Sequence, residues 1–370
     1  MNIIVSGGGT GGHIYPAISL IEELKKRDKN NKILYVGTKN GLESSIVPQL
    51  GIDFKTIHVR GIPRKININS FKALKELFIG LREASKILKE FKPDLVIGTG
   101  GYVSGPILYK ATKTKAKVAF HEQNSYPGIT NRILSRYVDK YFVTFKESIK
   151  FFKNQDKAIL TGNPIRNRFS NIEEKKKEAI KKYELSENKK VVFVFGGSNG
   201  SEILNKIVLE MSDEIANQNV FEVILATGKS NYDELKDSLK SEHKNLHLYP
   251  YIDDIDKAYA VSDLIVTSSG AITLAELSFL GKASILVPKS YTTENHQEHN
   301  ARAFEKNGAS KVILEKELNA NSLYEMITSI LKDENTLKNL SENAKKMSYP
   351  TACKDIVDEL YKLVDCNEKA

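Results

Sequence analysis

The chain has 370 residues, 41% of them apolar, and carries a formal net charge of +9. Its length fits about two domains of roughly 150 residues each, while two cysteines outside any CxxC pair argue against a disulfide scaffold or structural zinc and favour the reducing cytoplasm. The first apolar run starts at residue 2 without a charged leader, and no run approaches the roughly 18 residues that cross a bilayer, so we expect neither secretion nor a membrane span.

Short β-branched or aromatic runs alternate with amphipathic segments through the first half of the chain. These runs cover residues 2–5, 33–36, 95–97, 118–120 and 140–144. Strands separated by helix-length segments predict βαβ units, in which each strand lies parallel to its neighbours in one sheet.

The first strand leads into a glycine-rich segment. Gly7, Gly9 and Gly12 satisfy GxGxxG, a pattern in which glycines allow a tight turn and close approach to a diphosphate. A dinucleotide site also requires an acidic residue where the second strand ends, and residues 34–38 contain none. We therefore disfavour an NAD enzyme.

His13 directly follows these glycines, at the start of the first predicted helix. Exposed N–H groups and the helix dipole at such a position favour the neutral imidazole, which can act as a general base. We predict this role for His13, with helix capping or packing as the alternative.

An amphipathic basic helix is predicted before the strand at 95–97. Its apolar residues recur at helical spacing with basic residues between them: Phe71, Leu74, Leu77, Phe78, Leu81 and Leu88 alternate with Lys72, Lys75, Arg82, Lys86 and Lys89. The stripe fits either core packing or docking on a membrane surface. The net positive charge indicates phosphate, nucleic acid or acidic lipid headgroups as partner, although interleaved lysines and glutamates also suit a solvated surface.

Two later strands end in polar segments. Gly98–Pro106 contains glycines whose amides can approach an anion closely, and Tyr102 adds a hydroxyl, with a simple turn as the alternative. His121–Asn124 follows the strand at 118–120 and supplies a carboxylate and two amides. Because the carboxyl ends of parallel strands meet at one edge of a sheet, these groups should lie near His13.

The strand pattern restarts after residues 161–166, where Gly162 and the Asn163–Pro164 pair break regular structure. Further runs at 191–195, 223–226, 246–249, 264–266 and 284–287 predict a second sheet. We expect a first domain at 1–165 and a second at 166–349. Beyond Pro350 an apolar-patterned helix at 355–364 is expected to return to the first domain, so that 350–370 complete it.

The second half carries its own candidate site. The glycine loop Gly196–Gly200 follows a strand, and Ser268–Glu276 passes from a strand into a helix whose first N–H groups would point at a bound phosphate. Glu276 would then reach sugar hydroxyls. Another helix opens with the amides and imidazoles of Glu294–Asn300.

A metal site is not expected. His296 and His299 are spaced by three residues, whereas the zinc motif HExxH spaces its histidines by four. Asp254 and Asp256 form a DxD pattern, but Asp253 and Asp254 stand where helix N-caps are expected. We predict capping for these carboxylates.

In this order, and over nearly the whole chain, the segments resemble the MurG family of bacterial transferases, which add N-acetylglucosamine to undecaprenyl-diphosphate-linked muramoyl-pentapeptide in peptidoglycan synthesis. The segments that carry the resemblance are Gly7–His13, Gly100–Pro106, His121–Asn124, Thr161–Arg166, Gly196–Gly200, Tyr251–Asp254, Ser269–Glu276 and Asn295–Ala301. The resemblance implies the α/β fold called GT-B, in which two Rossmann-like, doubly wound parallel-sheet domains face a cleft. The first would bind the acceptor and the second UDP-N-acetylglucosamine.

The resemblance also implies roles for single residues. Thr10, Gly11, Gly12 and Asn124 would contact the sugar or acceptor, Arg166 and Ser198 the donor diphosphate, and the backbone at Ile252 the uracil. Gly270, Ala271, Ile272, Thr273, Leu274 and Ala275 would cradle the diphosphate. Glu276 would bind the ribose and Gln297 the amino sugar, with His296 as its neighbour. His13 would be the base and Glu122 its rival or support.

Two positions depart from the family pattern. Asn199 stands where glutamine is frequent, and Ser268 stands where many members carry an arginine. One expected positive charge near the diphosphate is therefore missing.

The implied reaction is an inverting transfer in which UDP-N-acetylglucosamine is a substrate, with neither cofactor nor metal. Expected partners are this donor, the lipid-linked acceptor and an anionic membrane surface, without nucleic acid, and the expected location is peripheral, on the cytoplasmic face of the inner membrane. The alternatives are another GT-B enzyme, either a glycolipid synthase or a UDP-N-acetylglucosamine epimerase, and a sugar-nucleotide-binding module without turnover.

Overall fold

The structure, a computed structural model, describes residues 1–61, 68–165, 169, 171–197, 200–239 and 244–365. The chain forms two compact units. The first consists of Met1–Arg166 together with Tyr349–Ala370, and the second of Asn167–Ser348.

The first unit is a parallel sheet between helices. Its elements are β1 Asn2–Ser6, α1 Gly11–Arg27, β2 Lys32–Gly37, α2 Glu43–Gln49, β3 Asp53–Thr56, α3 Ile68–Phe91, β4 Leu95–Gly98, α4 Ser104–Ala111, β5 Lys117–Glu122, α5 Ile129–Leu134, β6 Lys140–Val143 and β7 Ala158–Leu160. The strand order is β3-β2-β1-β4-β5-β6-β7. Successive strand residues face opposite sides, so Ile4 of β1 enters one core layer and Ile3 and Val5 the other.

The second unit repeats this design. Its elements are α6 Lys176–Lys182, β8 Lys190–Phe195, α7 Glu202–Glu210, α8 Ser212–Gln218, β9 Phe221–Ala226, α9 Tyr232–Ser238, β10 Leu246–Tyr249, α10 Ile255–Val261, β11 Leu264–Thr267, α11 Ala271–Leu280, β12 Ala283–Leu286, α12 His296–Lys306, β13 Lys311–Val312, α13 Ala320–Lys332 and α14 Glu334–Lys346. The order β10-β9-β8-β11-β12-β13 is again entirely parallel. The prediction of two doubly wound α/β sheets is confirmed.

The last helix, α15 Ala352–Asp365, belongs to the first unit. Its apolar stripe places Ile356, Val357 and Leu360 in the core layer that α1 also lines, and all three are fully buried. Polar contacts flank the stripe, because Arg27 pairs with Asp358 and Lys140 Nζ lies 2.7 Å from Glu359 Oε2.

Every strand predicted from an apolar run is present, while β3, β7 and β13 were missed. His121 and Glu122 were expected to follow β5 but are its last two residues. Within the described part of the chain, no helix combines the length and the apolar character that a bilayer span needs.

Candidate functional site

Each sheet reverses its strand order once, between β1 and β4 in the first unit and between β8 and β11 in the second. Ligands of such sheets bind at the carboxyl ends of the strands beside this reversal. The glycine segment Gly7–Gly12 follows β1, and the loop at 99–103 follows β4. In the second unit, the loop that includes Gly197 follows β8 and Ser268–Gly270 follows β11.

The two loops of the first unit pack tightly on each other. A Cβ on Gly101 would lie 2.3 Å from the carbonyl oxygen of Gly8, and a Cβ on Gly7 would lie 2.1 Å from Thr99 Oγ1. Gly101 also has a φ of +80°, which side chains rarely adopt. Only glycine fits these positions, so the two predicted loops form one surface.

His13 lies half-buried in the first turn of α1, beside this surface. Its Nδ1 is 3.3 Å from Thr10 Oγ1, and its carbonyl accepts a 2.7 Å hydrogen bond from Thr99 Oγ1. Gly100 crosses the ring so closely that a Cβ there would lie 2.7 Å from His13 Cδ2 and 3.1 Å from Nε2. The imidazole is therefore held in place by both loops.

Glu43, the first residue of α2, lies fully buried beneath the glycine loop. Its carboxylate accepts hydrogen bonds from Gly9 N at 3.2 Å and from Thr38 N and Oγ1 at 3.0 and 2.7 Å. A Cβ on Gly8 would lie 2.5 Å from Glu43 Oε1. Each of these partners donates, so the Glu43 oxygens act as acceptors, and a carboxylate so close disfavours a phosphate at this loop. Contacts to an uncharged sugar suit Thr10, Gly11 and Gly12 better.

Glu122, the last residue of β5, is surrounded by hydrogen-bond donors from the segment that follows it. Glu122 is buried and accepts four hydrogen bonds, from Asn124 N at 3.0 Å, Asn124 Nδ2 at 3.2 Å, Gly128 N at 3.1 Å and Asn131 Nδ2 at 2.8 Å. Burial raises the pKa of this carboxyl, and the hydrogen bonds oppose the rise. All four lone-pair sites of the carboxylate are occupied. These contacts favour the supporting role for Glu122 over that of a rival base.

His121, the residue before Glu122, is fully buried. Burial lowers its pKa to about 4, so the ring is neutral at physiological pH. Its Nε2 is 2.8 Å from the carbonyl oxygen of Gly162, and Gln123 Nε2 is 3.0 Å from its Nδ1. Gln123 also donates to the Thr99 carbonyl at 2.7 Å. Together they fix the polar segment against the loop that follows β4.

Asn124 and Tyr102 remain at the surface of this site. Asn124 is half-buried, while Tyr102 is 38% exposed, with Cε1 3.3 Å from the point where a Cβ on Gly9 would lie. Burial and the charge of Glu43 raise the pKa of Tyr102, so its hydroxyl stays protonated at neutral pH.

In the second unit, the N-terminus of α11 forms the candidate phosphate site. Gly270 has no side chain with which to cap the helix, so the N–H groups of residues 271–273 lie where a phosphate would bind. Leu274 was predicted to be part of this cradle, but its N–H is bonded to the Gly270 carbonyl at 3.0 Å and its side chain is fully buried. Ala275 lies a further residue into the helix. Of the predicted residues 270–275, those at 270–273 therefore remain as candidates for contact with a phosphate.

Glu276 lies further along the same helix α11, and Gln297 lies near the cradle through a hydrogen bond between its backbone and Ser269. Glu276 is 4% exposed, and Tyr259 donates a 3.1 Å hydrogen bond to its Oε2. Ser269 donates a 2.7 Å hydrogen bond to the Gln297 carbonyl, which ties the first turn of α12 to the loop before α11. His296 is half-buried as the first residue of α12.

Ile252 lies after β10, at the same edge of the sheet, and is 9% exposed. The capping prediction for the neighbouring aspartates is wrong for Asp254, which occupies the N-cap position of α10 without a side-chain cap. Its carboxylate lies 2.6 Å from Lys182 Nζ, and that of Asp256 2.6 Å from Lys175 Nζ. These ion pairs stabilise α10, and the described residues contain no His, Cys, Asp and Glu group suited to a metal.

Arg166, Ser198 and Asn199 lie outside the described residues. Glu43 and Lys289 were missed by the sequence reasoning, although both lie beside predicted motifs. Lys289 follows β12, its N–H donates to Gln297 Oε1 at 3.0 Å, and its Nζ donates to the Gly200 carbonyl at 2.8 Å. A search for acids beyond the end of the second strand would have found Glu43. Nothing in the local sequence marks Lys289.

Two family models match the chain in succession. The glycosyltransferase family 28 N-terminal domain covers residues 3–143, and the glycosyltransferase family 28 C-terminal domain covers residues 191–356. Over all 370 residues, and 100% of both chains, the protein is 83% identical to one of Finegoldia magna named "UDP-N-acetylglucosamine--N-acetylmuramyl-(pentapeptide) pyrophosphoryl-undecaprenol N-acetylglucosamine transferase".

Solved structures share the fold. The crystal structure of Acinetobacter baumannii MurG matches with a TM-score of 0.76 at 24% identity, covering 98% of this chain and 99% of that one. UDP-GlcNAc 2-epimerase from Neisseria meningitidis, bound to UDP-GlcNAc, matches with a TM-score of 0.69 at 18% identity, covering 98% and 100%. At these identities the likeness concerns the fold alone.

Proposed function

The chain belongs to the MurG family of glycosyltransferase family 28, and from this premise we propose that it makes lipid II for peptidoglycan. It is a UDP-N-acetylglucosamine-dependent N-acetylglucosaminyltransferase. The acceptor is undecaprenyl-diphospho-N-acetylmuramoyl-pentapeptide, whose 4-hydroxyl receives the sugar. The full-length likeness to the Finegoldia magna transferase carries this proposal, and the motifs at the reversal points of both sheets support it.

In the proposed reaction, His13 takes the proton of the acceptor hydroxyl. The hydroxyl oxygen forms a bond to the anomeric carbon as the bond from that carbon to the UDP oxygen breaks, and UDP leaves as an anion. Attack opposite the leaving group inverts the configuration without a covalent intermediate. Thr10 and Gly100 position the imidazole, and Thr10, Gly11, Gly12 and Asn124 contact the acceptor.

The leaving diphosphate gains charge in this step. The N-terminus of α11 offers about half an elementary charge and directed N–H donors at residues 271–273, which act where the new charge develops. Glu276 binds the ribose, Gln297 the amino sugar, and the backbone at Ile252 the uracil. This stabilisation requires no divalent cation in the proposal.

The deciding experiment supplies the purified full chain with radiolabelled UDP-N-acetylglucosamine and a lipid-linked muramoyl-pentapeptide, with and without EDTA. We expect an acceptor-dependent disaccharide product and matching UDP release, unchanged by EDTA. Formation of N-acetylmannosamine without acceptor would instead show an epimerase, and transfer to diacylglycerol a glycolipid synthase. Binding of the donor without any turnover would leave only a sugar-nucleotide-binding module.

We also propose peripheral attachment to the anionic cytoplasmic face of the inner membrane. The apolar residues of α3 differ in burial along the helix. Leu88 is buried, whereas Leu74 and Phe78 are 48% and 61% exposed. Tyr109 on the adjacent α4 and Tyr137 after α5 are also exposed, and Lys113 Nζ lies 5.6 Å from both rings. Exposed apolar and aromatic side chains among lysines are typical of surfaces that bind anionic lipid headgroups.

The double variant Leu74→Glu with Phe78→Glu should bind anionic vesicles at least about tenfold more weakly, since burying one such side chain is worth about 1.5–3 kcal/mol. Flotation with phosphatidylglycerol vesicles measures the effect. Leu50→Glu, at a similarly exposed leucine after α2, serves as the matched control and should float like the wild type. Equal flotation of the double variant and the wild type would contradict this docking surface.

A further inference from the structure

Lys289 connects the loop after β8, the loop after β12 and the start of α12 at the carboxyl edge of the second unit's sheet. It follows β12, while Gly200, which accepts its Nζ hydrogen bond at 2.8 Å, lies in the loop after β8. Since β11 lies between β8 and β12, the lysine side chain spans the carboxyl end of β11, where Ser268 leads toward α11. The Lys289 N–H at the same time holds Gln297 Oε1.

The ammonium group of Lys289 lacks a charged partner in the part of the chain that the structure describes. It is half-buried, and within the described ranges it forms no ion pair, whereas Lys175, Lys182 and Lys190 in the same unit each pair with an aspartate. Burial lowers the pKa of Lys289, and the charge of Glu315 only partly offsets this. An ammonium group that is partly removed from water loses hydration, and no ion pair with a described residue offsets that loss at Lys289. An anion placed here would restore the missing counter-charge.

We propose that Lys289 binds the diphosphate of the sugar-nucleotide donor and supplies the positive charge that Ser268 does not. One of the three ammonium donors is used on the Gly200 carbonyl, which aims the group across the end of β11. Lysine binds phosphate as a point charge, without the bidentate geometry of arginine. This inference rests on the proposed donor-binding role of the second unit.

The same strand provides a matched control. Lys282 precedes β12, at the opposite edge of the sheet, and its Nζ donates to the Ser262 carbonyl at 2.8 Å. Burial lowers the pKa of Lys282 as well. Both lysines are therefore half-buried, donate to a backbone carbonyl and form no ion pair among the described residues, but only Lys289 lies beside the predicted diphosphate cradle.

Calorimetric titration of the full chain with UDP and with uridine tests the inference. Lys289→Met should weaken UDP binding about ten- to a hundredfold, the usual value of a hydrogen bond to a charged group, and leave uridine binding unchanged. Lys289→Arg should retain most of the affinity for UDP, and Lys282→Met all of it. A purely structural lysine would instead affect UDP and uridine equally.

The role of Lys289 would be overturned if Lys289→Met bound UDP as tightly as the wild type, or if it lost as much affinity for uridine as for UDP. Sugar transfer by the wild type would show that the proposed function still holds in that case. A wild type that binds neither UDP nor the sugar nucleotide would overturn the proposed function itself. If Lys289→Met does not fold, Lys289→Gln replaces it, and the ratio of UDP to uridine affinity again decides.

Discussion

Replacing His13 with alanine is expected to lower transferase turnover by about two to four orders of magnitude, the usual contribution of a general base. The donor should still bind, because the contacts proposed for it at α11, Gln297 and Ile252 all lie in the second unit. Single-turnover kinetics with the lipid-linked acceptor measure the chemical step, and titration with UDP-N-acetylglucosamine measures binding.

His58 provides the control for this variant. It is an exposed histidine of the same unit, with Nδ1 2.6 Å from Glu83 Oε1. His58→Ala should leave the rate of the chemical step unchanged. A His13→Ala enzyme that turns over like the wild type would remove His13 from the reaction, and a loss of donor affinity equal to the loss of rate would make it a binding residue instead.

Replacing Glu122 with glutamine should abolish most activity by a different route. The amide nitrogen would face two of the four N–H groups that now donate to Glu122, so two buried or partly buried N–H groups would lose their acceptor. Each such loss costs about 1–3 kcal/mol. We therefore expect lower stability in urea unfolding together with the loss of turnover, since the segment before α5 loses its anchor.

Asn131→Leu separates support from base catalysis. It removes one donor to Glu122 from α5 and leaves the carboxylate intact. If Glu122 acts by holding the segment, this variant should also lose part of the activity and stability. If Glu122→Gln folds as stably as the wild type and Asn131→Leu is fully active, Glu122 acts in the chemistry and the supporting role is wrong.

The predictable part of the fold consists of strands buried on both faces. Their continuous apolar runs stand out in the sequence, as in β1 and β8, where nearly every residue is buried. The strands that were missed lack this signal. β3 reads Asp-Phe-Lys-Thr at the edge of its sheet, and β13 has only two residues.

The candidate site was predictable where a motif directly follows a buried strand, as for Gly7–His13 and Ser268–Glu276. The order of the strands then brings these motifs together. Glu43 and Lys289 come from other elements, and only tertiary packing places Glu43 beneath Gly8 or Lys289 Nζ against Gly200. The motif alone also does not show that the Leu274 N–H is bonded to the Gly270 carbonyl, because this depends on the position of Leu274 in the helix.

The helix α15 has a consequence for how the protein is made. Ile356, Val357 and Leu360 fill a core layer of the first unit, yet they are translated after the whole second unit. While the nascent chain grows, the matching surface of α1 and its sheet stays open to water and to chaperones. A premature stop near residue 348 would therefore release an intact second unit attached to a first unit whose hydrophobic core is incomplete.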